Sequence, residues 1–359
     1  MKWLCLGTLH PHHPIQDLSI NSKMESNYRI GLEFNGLGAH SYALSKIGED
    51  VTEIRLAPHG SKFWRKFIWR WLLNAEAVNP ELKSRRLNLA LDKLLSRLKK
   101  EHFDCFFSRE VWDYPMSFLK ELEDLIPVRI LWLSTSPGRA PYPEIWEELK
   151  CFTHIFLIDR EGVNLLREKG YNAFYMPFAL ADFEEISFRS PKDLRLGFLG
   201  SVYPDRMMLL QEMRDHGLEF WAPNFSGGTE LMYPDLVTRY RGEVWGLDLL
   251  KEMSRYEIII NPIHRSYMRG MTDDVTNFRL FEAIGVRTFQ IAEHKSAIRE
   301  IFTEDEIATY ASLEELKDKI IFYGKHSQVR EKMVTKAHAR VQKEHLYSHR
   351  MQDICKEVS

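Results

Sequence analysis

Apolar and polar positions alternate in blocks along the first half of the chain, and the blocks have two different lengths. Short apolar runs predict buried strands at residues 3–9, 51–56, 103–108, 128–134 and 154–159. Longer segments of helical period fill the intervals, at residues 27–47, 61–74, 80–101, 114–125, 142–150 and 160–169. Strands that alternate with helices are typical of a parallel sheet with helices on both faces.

The same alternation returns after residue 193. Strands are predicted at residues 194–200, 218–223, 241–244, 257–262 and 287–292. Helices are predicted from Asp205 onward and over residues 246–255 and 277–285. A second α/β sheet therefore follows the first.

We accordingly predict an α/β fold of two domains with parallel sheets that enclose a cleft, which suits a chain of 359 residues. The polar, acidic stretch between the two blocks predicts a linker. The predicted boundaries are 1–178 for the N-terminal domain, 179–193 for the linker, 194–326 for the C-terminal domain and 327–359 for helices that pack outside that domain.

Composition is that of an ordinary globular protein, with 28% charged and 44% hydrophobic residues. The formal net charge of −2 gives the surface as a whole no attraction for polyanions, so nucleic acid is not expected as a partner. The four cysteines lack the spacing of a zinc site, and we expect reduced thiols, mostly in cores. They are Cys5, Cys105, Cys151 and Cys355.

Contact with a membrane is limited to one candidate segment. No run of 18 apolar residues occurs, so a membrane-spanning helix is not expected. Histidine and proline interrupt the apolar N-terminus before a signal sequence can form, and we expect a cytoplasmic protein. The segment SKFWRKFIWRWLLN (61–74) is either an amphipathic helix for peripheral contact with an anionic membrane or lipid-linked acceptor, or a core helix rich in aromatic residues.

Two loops that follow apolar strands carry candidate binding residues, because doubly wound sheets bind ligands at the carboxyl ends of their strands. In GSVYPDR (200–206), Gly200 allows main-chain N–H groups to approach a phosphate, and Arg206 can reach it with its charge. A plain turn with a solvent-facing arginine is the alternative. Asn261 ends a strand and begins a long loop, and long loops at such positions are often functional.

The start of the helix predicted at 277–285 is the third candidate. If the helix begins near Thr276, its free N–H groups and positive dipole end suit a diphosphate, with Asn277 at the mouth of the site. Arg279 and Glu282 are three residues apart and are neighbours on the helix. The Glu282 carboxylate either accepts two sugar hydroxyls or forms an ion pair with Arg279, and the spacing leaves both readings open.

The order of motifs in the C-terminal half resembles that of a known family. NFRLFE (277–282) fits an NxRxFE pattern, and an apolar strand, a DEI–Y element, SLEELKDKI and a terminal EHLYSHR follow it. Upstream, GSVYPDR is similar to a GSxYxxR loop. This order resembles that of the CgeB-like, spore-maturation-type glycosyltransferases of the GT-B superfamily. The resemblance covers most of residues 100–350 and is weak before them.

The resemblance implies two Rossmann-like domains and transfer of a sugar from a nucleoside diphosphate-sugar, most readily a UDP-sugar, to a hydroxyl acceptor. That acceptor is a polysaccharide, a lipid-linked glycan or a protein. Glu282 is then expected at the ribose hydroxyls, Asn277 and the loop at Gly200 at the diphosphate, and Arg206 and Arg279 at its charge. The full set of candidate donor-binding residues is Gly200, Ser201, Tyr203, Arg206, Asn261, Asn277, Arg279 and Glu282.

No metal or other cofactor is expected, because GT-B transferases of this kind generally use positive side chains in place of a metal ion. The acceptor hydroxyl must lose a proton, either to a base or to the leaving phosphate. His10, His12 and His13 in the loop 7–14, or His40, are candidates for that base, at most one of them acting. The alternative is that the three loop histidines are solvated and His40 lies on a helix face.

Two other functions stay open at this point. The first is a catalytically inactive GT-B protein that binds a nucleotide or a glycan. The second is a DNA glycosyltransferase, which the near-neutral charge disfavours, because binding to duplex DNA depends on a basic surface that contacts phosphates.

Overall fold

The computed structural model describes residues 1–8, 37–56, 80–109, 111, 114–134, 145–182, 191–223, 225, 229–263 and 275–359. These residues divide into two compact units. The described residues up to 176 and from 351 onward form unit 1, and those from 177 to 350 form unit 2.

In the described part of unit 1, six strands form one parallel sheet in the order β2-β1-β3-β4-β5-β6. The strands are β1 (Lys2–Thr8), β2 (Asp50–Leu56), β3 (Cys105–Ser108), β4 (Val128–Leu133), β5 (His154–Leu157) and β6 (Ala173–Tyr175). The helices that precede unit 2 are α1 (Leu37–Lys46), α2 (Pro80–Leu98), α3 (Met116–Leu125), α4 (Trp146–Leu149) and α5 (Arg160–Glu168).

In the described part of unit 2, five parallel strands follow the order β11-β10-β9-β7-β8. The strands are β7 (Leu194–Leu199), β8 (Leu218–Trp221), β9 (Tyr256–Asn261), β10 (Phe289–Glu293) and β11 (Ala308–Tyr310). The helices are α6 (Pro204–Met213), α7 (Thr229–Met232), α8 (Gly246–Ser254), α9 (Phe278–Gly285), α10 (Ser296–Ile301), α11 (Leu313–Lys325), α12 (Ser327–Glu344) and α13 (Tyr347–Val358), and short 3-10 turns span Arg214–His216 and Pro234–Arg239.

Both sheets are buried on two faces, which explains why their strands read as continuous apolar runs rather than alternating ones. In unit 1, Leu6, Phe106 and Leu131 belong to one core cluster that also contains residues of α2 and α3. The intervening side chains, such as Phe107 and Trp132, are equally buried but lie on the opposite face. The prediction of an α/β fold with two parallel, Rossmann-like sheets is confirmed.

The strand predicted at residues 241–244 is wrong. The chain forms a single parallel bridge to β8, between Tyr240 and Phe220. Arg241 N donates to Phe220 O at 2.8 Å and Gly242 O accepts from Ala222 N at 3.0 Å, but Gly242 adopts a φ of 110°, in the region that favours glycine. This backbone turn ends the pairing at Gly242, so no strand forms.

Two strands were missed by the sequence pattern. Strands β6 and β11 have three residues each, which is too short to show a period of two. Each extends one edge of its sheet. The unit 1 sheet therefore has six strands where five were predicted, whereas in unit 2 β11 offsets the loss of the strand predicted at residues 241–244.

The residues expected to begin the linker are built into unit 2. Leu180 N donates to His345 O at 2.8 Å, and Tyr347 N donates back to Leu180 O at 2.9 Å. Asp182 Oδ2 accepts from Ser348 N at 2.7 Å. The segment 177–182 is thereby hydrogen-bonded to the turn between α12 and α13, and residues 351–359 group with unit 1.

The state of the cysteines agrees with the prediction. All four cysteines are free thiols, and three of them are buried, as predicted. Burial raises the pKa of Cys105 and of Cys151 to about 12, so both thiols stay protonated.

Among the described residues, no helix combines the length and the apolar character that crossing a membrane requires. The segment 61–74 lies outside the described residues, and its membrane contact stays a prediction.

Close packing of α9 against the segment 177–182 yields a stability prediction. A Cβ atom at Gly285 would lie 2.5 Å from Leu180 Cδ1 and 3.0 Å from Leu180 Cδ2, and Leu180 is itself fully buried. We expect Gly285→Ala to lower the free energy of unfolding by about 1–3 kcal/mol, measured by urea denaturation.

Gly324→Ala is the matched control, because a Cβ there meets nothing within 4 Å and the residue also lies in a helix. It should leave stability unchanged or raise it by up to about 1 kcal/mol. Equal stability of the two variants would contradict the packing described for Gly285.

Candidate functional site

The carboxyl ends of the unit 2 strands form one row of polar loops. The pairs β7–β9, β9–β10 and β10–β11 are all in parallel register. When this register is extended to the ends of the strands, four residues lie side by side across the sheet: Gly200, Pro262, Glu293 and Tyr310. Because parallel strands present their carboxyl ends at one edge, this row is where a ligand-binding site is expected.

Arg206 lies at this edge, in the first turn of α6. Its Nη1 donates to Ser201 O at 2.8 Å, and its Nη2 donates to Pro262 O at 3.0 Å. Its guanidinium also lies over the rings of Phe198 and Tyr203, at 5.6 and 5.8 Å from the ring centroids. Both hydrogen-bond acceptors are main-chain carbonyls, so Arg206 donates no hydrogen bond to a carboxylate of the described residues, although the neighbouring Asp205 carboxylate acts on it through its charge.

Helix α9 is fixed to the sheet through an amide network. Asn277 is its N-cap, and Asn277 Oδ1 accepts from Leu280 N at 3.0 Å. The Asn277 and Asn261 amides exchange two hydrogen bonds, at 2.8 and 3.1 Å. Gln290 accepts from Asn261 Nδ2 at 3.2 Å and donates to Leu280 O at 2.7 Å. The helix therefore begins at Phe278, two residues later than the start considered from the sequence.

The network changes the interpretation of two candidate residues. Asn277 was expected to contact the diphosphate and Asn261 to belong to the donor-binding set, but most of their hydrogen-bonding capacity is used within unit 2. Within the described residues, one N–H of Asn277 is left for a ligand. Both residues position α9, and any contact of Asn277 with a ligand is secondary to this.

Arg279 and Glu282 form an ion pair on α9, through Arg279 Nη1 and Glu282 Oε2. The two side chains are only 12% and 4% exposed, so the pair is shielded from solvent. This is the ion pair that the spacing left open in the sequence. A buried carboxylate with a fixed partner has a defined orientation, which a sugar-binding acceptor needs.

The two arginines of the site are electrostatically coupled. Burial lowers the pKa of Arg206 below its ordinary value; the charge of Asp205 opposes this, and the charge of Arg279 acts in the same direction as burial. Arg206 stays protonated in any case, because arginine does not lose its proton in proteins. Two cations near each other in a partly desolvated edge favour the binding of an anion.

The proposed proton acceptors fall in different places. His40 lies in α1 and is fully buried, with its ring 5.6 Å from Phe107 and 4.5 Å from Trp132, measured between centroids. This environment matches the alternative of a packed helix residue. His10, His12 and His13 lie outside the described residues.

Sequence reasoning missed Gln290, which connects the network to β10. A signal existed, because a single glutamine interrupts the apolar run RTFQIA (287–292). A buried polar side chain inside a strand needs hydrogen-bond partners, and Gln290, 3% exposed, finds them in Asn261 and Leu280. Glu293, the last residue of the same strand, was also missed.

A known protein family matches the part of the chain that forms most of unit 2. Residues 206–356 match a protein-family model described as "Glycosyl transferase-like". This range contains Arg206 together with Asn261, Asn277, Arg279 and Glu282. No curated protein sequence matches the chain.

Solved structures share the fold along the whole chain. Sucrose-phosphate synthase from Thermosynechococcus elongatus is similar with a TM-score of 0.63 at 12% identity, covering 100% of this chain and 99% of that one. HepE from Anabaena, in complex with UDP-glucose, is similar with a TM-score of 0.60 at 9% identity, covering 100% and 99%. AviGT4, a glycosyltransferase of avilamycin A biosynthesis, is similar with a TM-score of 0.54 at 13% identity, covering 98% and 96%.

The amide network predicts a stability effect larger than that of a helix cap alone. Asn277→Ala removes the cap of α9 and also the partner of the Asn261 amide. We expect a loss of about 1–2 kcal/mol for the cap and about 1 kcal/mol more for Asn261, measured by urea denaturation.

Ser312→Ala is the matched control, because Ser312 caps α11 by accepting from Glu315 N at 3.2 Å and has no such second partner. It should lose only the cap contribution. Asn277→Ser should recover the stability that the helix cap contributes, but not the stability that the amide contact with Asn261 adds. Equal losses for Asn277→Ala and Ser312→Ala would contradict the network.

Proposed function

We propose that this protein is a glycosyltransferase that moves a sugar from a nucleoside diphosphate-sugar to a hydroxyl group of an acceptor. The observation that carries the proposal is Arg206, held by two carbonyls beside the Arg279–Glu282 pair at the carboxyl edge of a Rossmann-like sheet. A buried cation that donates no hydrogen bond to a carboxylate at such an edge suits a diphosphate. The match of residues 206–356 to a glycosyl transferase-like family supports the reaction class.

Each residue has a role in this proposal. Arg206 and Arg279 bind the diphosphate, with main-chain N–H groups at Gly200 and Ser201 approaching it. Glu282 accepts the ribose hydroxyls, which two carboxylate oxygens can do at once. Tyr203 packs on the Arg206 guanidinium and holds it in place. Asn261 and Asn277 set the position of α9.

The reaction breaks the bond between the sugar carbon and the diphosphate oxygen, and forms a bond from that carbon to the acceptor oxygen. Negative charge develops on the leaving diphosphate, and the arginines stabilise it without a metal ion. A UDP-sugar is the preferred donor, since HepE, a structure of similar fold, has been solved with UDP-glucose. The acceptor is a polysaccharide, a lipid-linked glycan or a protein, and the subtype is CgeB-like, as the motif order implies.

A second candidate function is nucleotide binding without turnover. It is favoured by the burial of Glu282, which is 3% exposed and already paired with Arg279. Incubation with UDP-, GDP-, ADP- and TDP-sugars, followed by measurement of released nucleoside diphosphate, separates the two functions. Release that depends on an added acceptor supports transfer, and binding without release supports the second function.

The role of Glu282 is tested by a comparison of UDP with 2′-deoxy-UDP. A hydrogen bond to a charged group contributes about 1.5–3 kcal/mol, so we expect the unmodified protein to bind UDP about tenfold more tightly. In Glu282→Gln this preference should fall to about threefold or less, because the charge on the acceptor is gone. Calorimetry of both ligands on both proteins gives the four dissociation constants.

Glu306→Gln is the matched control for this test. Glu306 is also buried, and it pairs with Arg340 Nε at 2.8 Å elsewhere in unit 2. Its substitution should lower stability and leave the preference for UDP unchanged. A preference that persists in Glu282→Gln excludes the ribose role, and the absence of any nucleoside diphosphate binding overturns the proposed function.

The base is tested by His10→Ala, His12→Ala and His13→Ala. A positioned base contributes about 10²–10⁴-fold, so one variant should lose at least about 100-fold in kcat with unchanged donor affinity. His102→Ala is the control, since that side chain is 76% exposed. If all three retain full kcat, these histidines are excluded, and His40 and the leaving phosphate remain as candidate proton acceptors.

A further inference from the structure

Lys295 is a cation at the carboxyl edge of unit 2 that the proposed donor site does not include. It follows β10 by two residues and directly precedes α10. Its side chain is only 19% exposed, although lysine is rarely buried without a close partner. Within the described residues its one ion-pair partner is Glu293, with Nζ 3.9 Å from Oε1. This distance is too long for a hydrogen bond.

Glu293 and Arg206 are both hydrogen-bonded to the backbone segment that follows β9. Glu293 Oε2 accepts from Ile263 N at 3.0 Å. Ile263 follows Pro262, whose carbonyl accepts from Arg206 Nη2 at 3.0 Å. The segment after β9 therefore connects Arg206 on one side with Glu293 and Lys295 on the other, and all of these residues belong to the same edge.

The strand register sets the scale of this connection. Gly200 directly follows β7 and Glu293 ends β10, with β9 between those two strands. Neighbouring strands are about 4.8 Å apart, so these two strand ends lie about 10 Å from each other. The Arg206 guanidinium contacts Ser201 O after β7 and Pro262 O after β9, and Lys295 follows β10, so the two cations lie at neighbouring positions along the edge.

Not every cation at the edge is bonded directly to a carboxylate. Arg206, Arg279 and Lys295 are cationic, whereas Asp205, Glu282 and Glu293 are anionic, and Asp205 acts on Arg206 through its charge alone. Glu282 is bonded directly to Arg279, and Glu293 uses one carboxylate oxygen for the Ile263 N–H. Neither Arg206 nor Lys295 donates a hydrogen bond to a carboxylate of the described residues. Arg206 and Lys295 therefore lie on either side of the segment after β9, each without a direct hydrogen bond to a carboxylate of the described residues.

We propose that Lys295 binds the diphosphate of the sugar donor, opposite Arg206, and that Glu293 positions the Lys295 side chain. The inference rests on the proposed function, and it assigns a residue that the motif order does not include. A lysine acts on phosphate as a compact point charge, which needs no fixed geometry. At this place it stabilises the charge that the leaving diphosphate gains when its bond to the sugar breaks.

The test compares Lys295→Met with Lys317→Met in the full chain. Lys317 is a matched control, since its side chain is 34% exposed and it lies in unit 2 but not at the carboxyl edge. Its Nζ pairs with Glu212 Oε2 at a distance of 2.8 Å. The probes are UDP, uridine and UDP-glucose, each titrated by calorimetry, or the corresponding GDP, ADP or TDP set if the unmodified protein prefers another base. Thermal unfolding of the same samples checks that each variant is folded.

We expect Lys295→Met to bind UDP about tenfold more weakly or worse and to bind uridine as the unmodified protein does. Lys295→Arg should keep most of the affinity for UDP, because it keeps the charge. Lys317→Met should leave both affinities unchanged. Glu293→Gln should weaken UDP binding less than Lys295→Met does, because it removes only the group that positions the lysine.

The other outcomes overturn the inference in distinguishable ways. Unchanged UDP affinity in Lys295→Met overturns it and leaves the proposed function standing. An equal loss for uridine and UDP excludes a phosphate contact, and a loss for UDP-glucose but not UDP assigns Lys295 to the sugar instead. If the unmodified protein binds no nucleoside diphosphate, the proposed function falls and this inference falls with it.

Discussion

The hydrogen bonds that join Asn277 to Asn261 and Gln290 fix the geometry on which the candidate site depends. Helix α9 has only eight residues, and such a short helix has little stability of its own. Its position is therefore set by the sheet, through side-chain amides that belong to β9 and β10 and through its own cap. Because each amide satisfies its neighbour, the network is favourable although it is buried. This network therefore also sets the positions of Arg279 and Glu282, which lie on α9.

A second constraint is electrostatic and concerns the carboxyl edge of the unit 2 sheet. Arg206 is held by main-chain carbonyls, which orient a guanidinium without neutralising it. Removing part of its hydration costs free energy, as the lowered pKa of Arg206 indicates. A bound anion offsets that cost, so the edge is arranged for a ligand that brings negative charge. The fold supplies this arrangement at the strand ends, where no strand pairing competes for the polar groups.

The segment 177–182 joins this site to the C-terminal helices. It packs against Gly285 at the end of α9, and it is hydrogen-bonded to the turn between α12 and α13. Arg350 adds bonds to Pro177 O at 3.2 Å and to Phe178 O at 3.4 Å. The helix that carries Glu282 is thus held at its start by the amide network and at its end by this packing. Substitutions far from the site in sequence are therefore expected to move α9.

The sequence by itself determined the two parallel sheets, because burial on both faces imposes long apolar runs that alternate with helical periods. It also determined the Arg279–Glu282 pairing as one of two possibilities, since residues three apart are neighbours on any helix. The tertiary structure alone decided that Asn277 meets Asn261, that His40 packs between Phe107 and Trp132, and that the pairing near residue 241 stops at Gly242. It also placed Lys295 beside Glu293 at the edge that holds Arg206. The physical reason is that periodicity records whether a position is buried, whereas the partner of a side chain depends on strand register and loop course, which bring together residues distant in sequence.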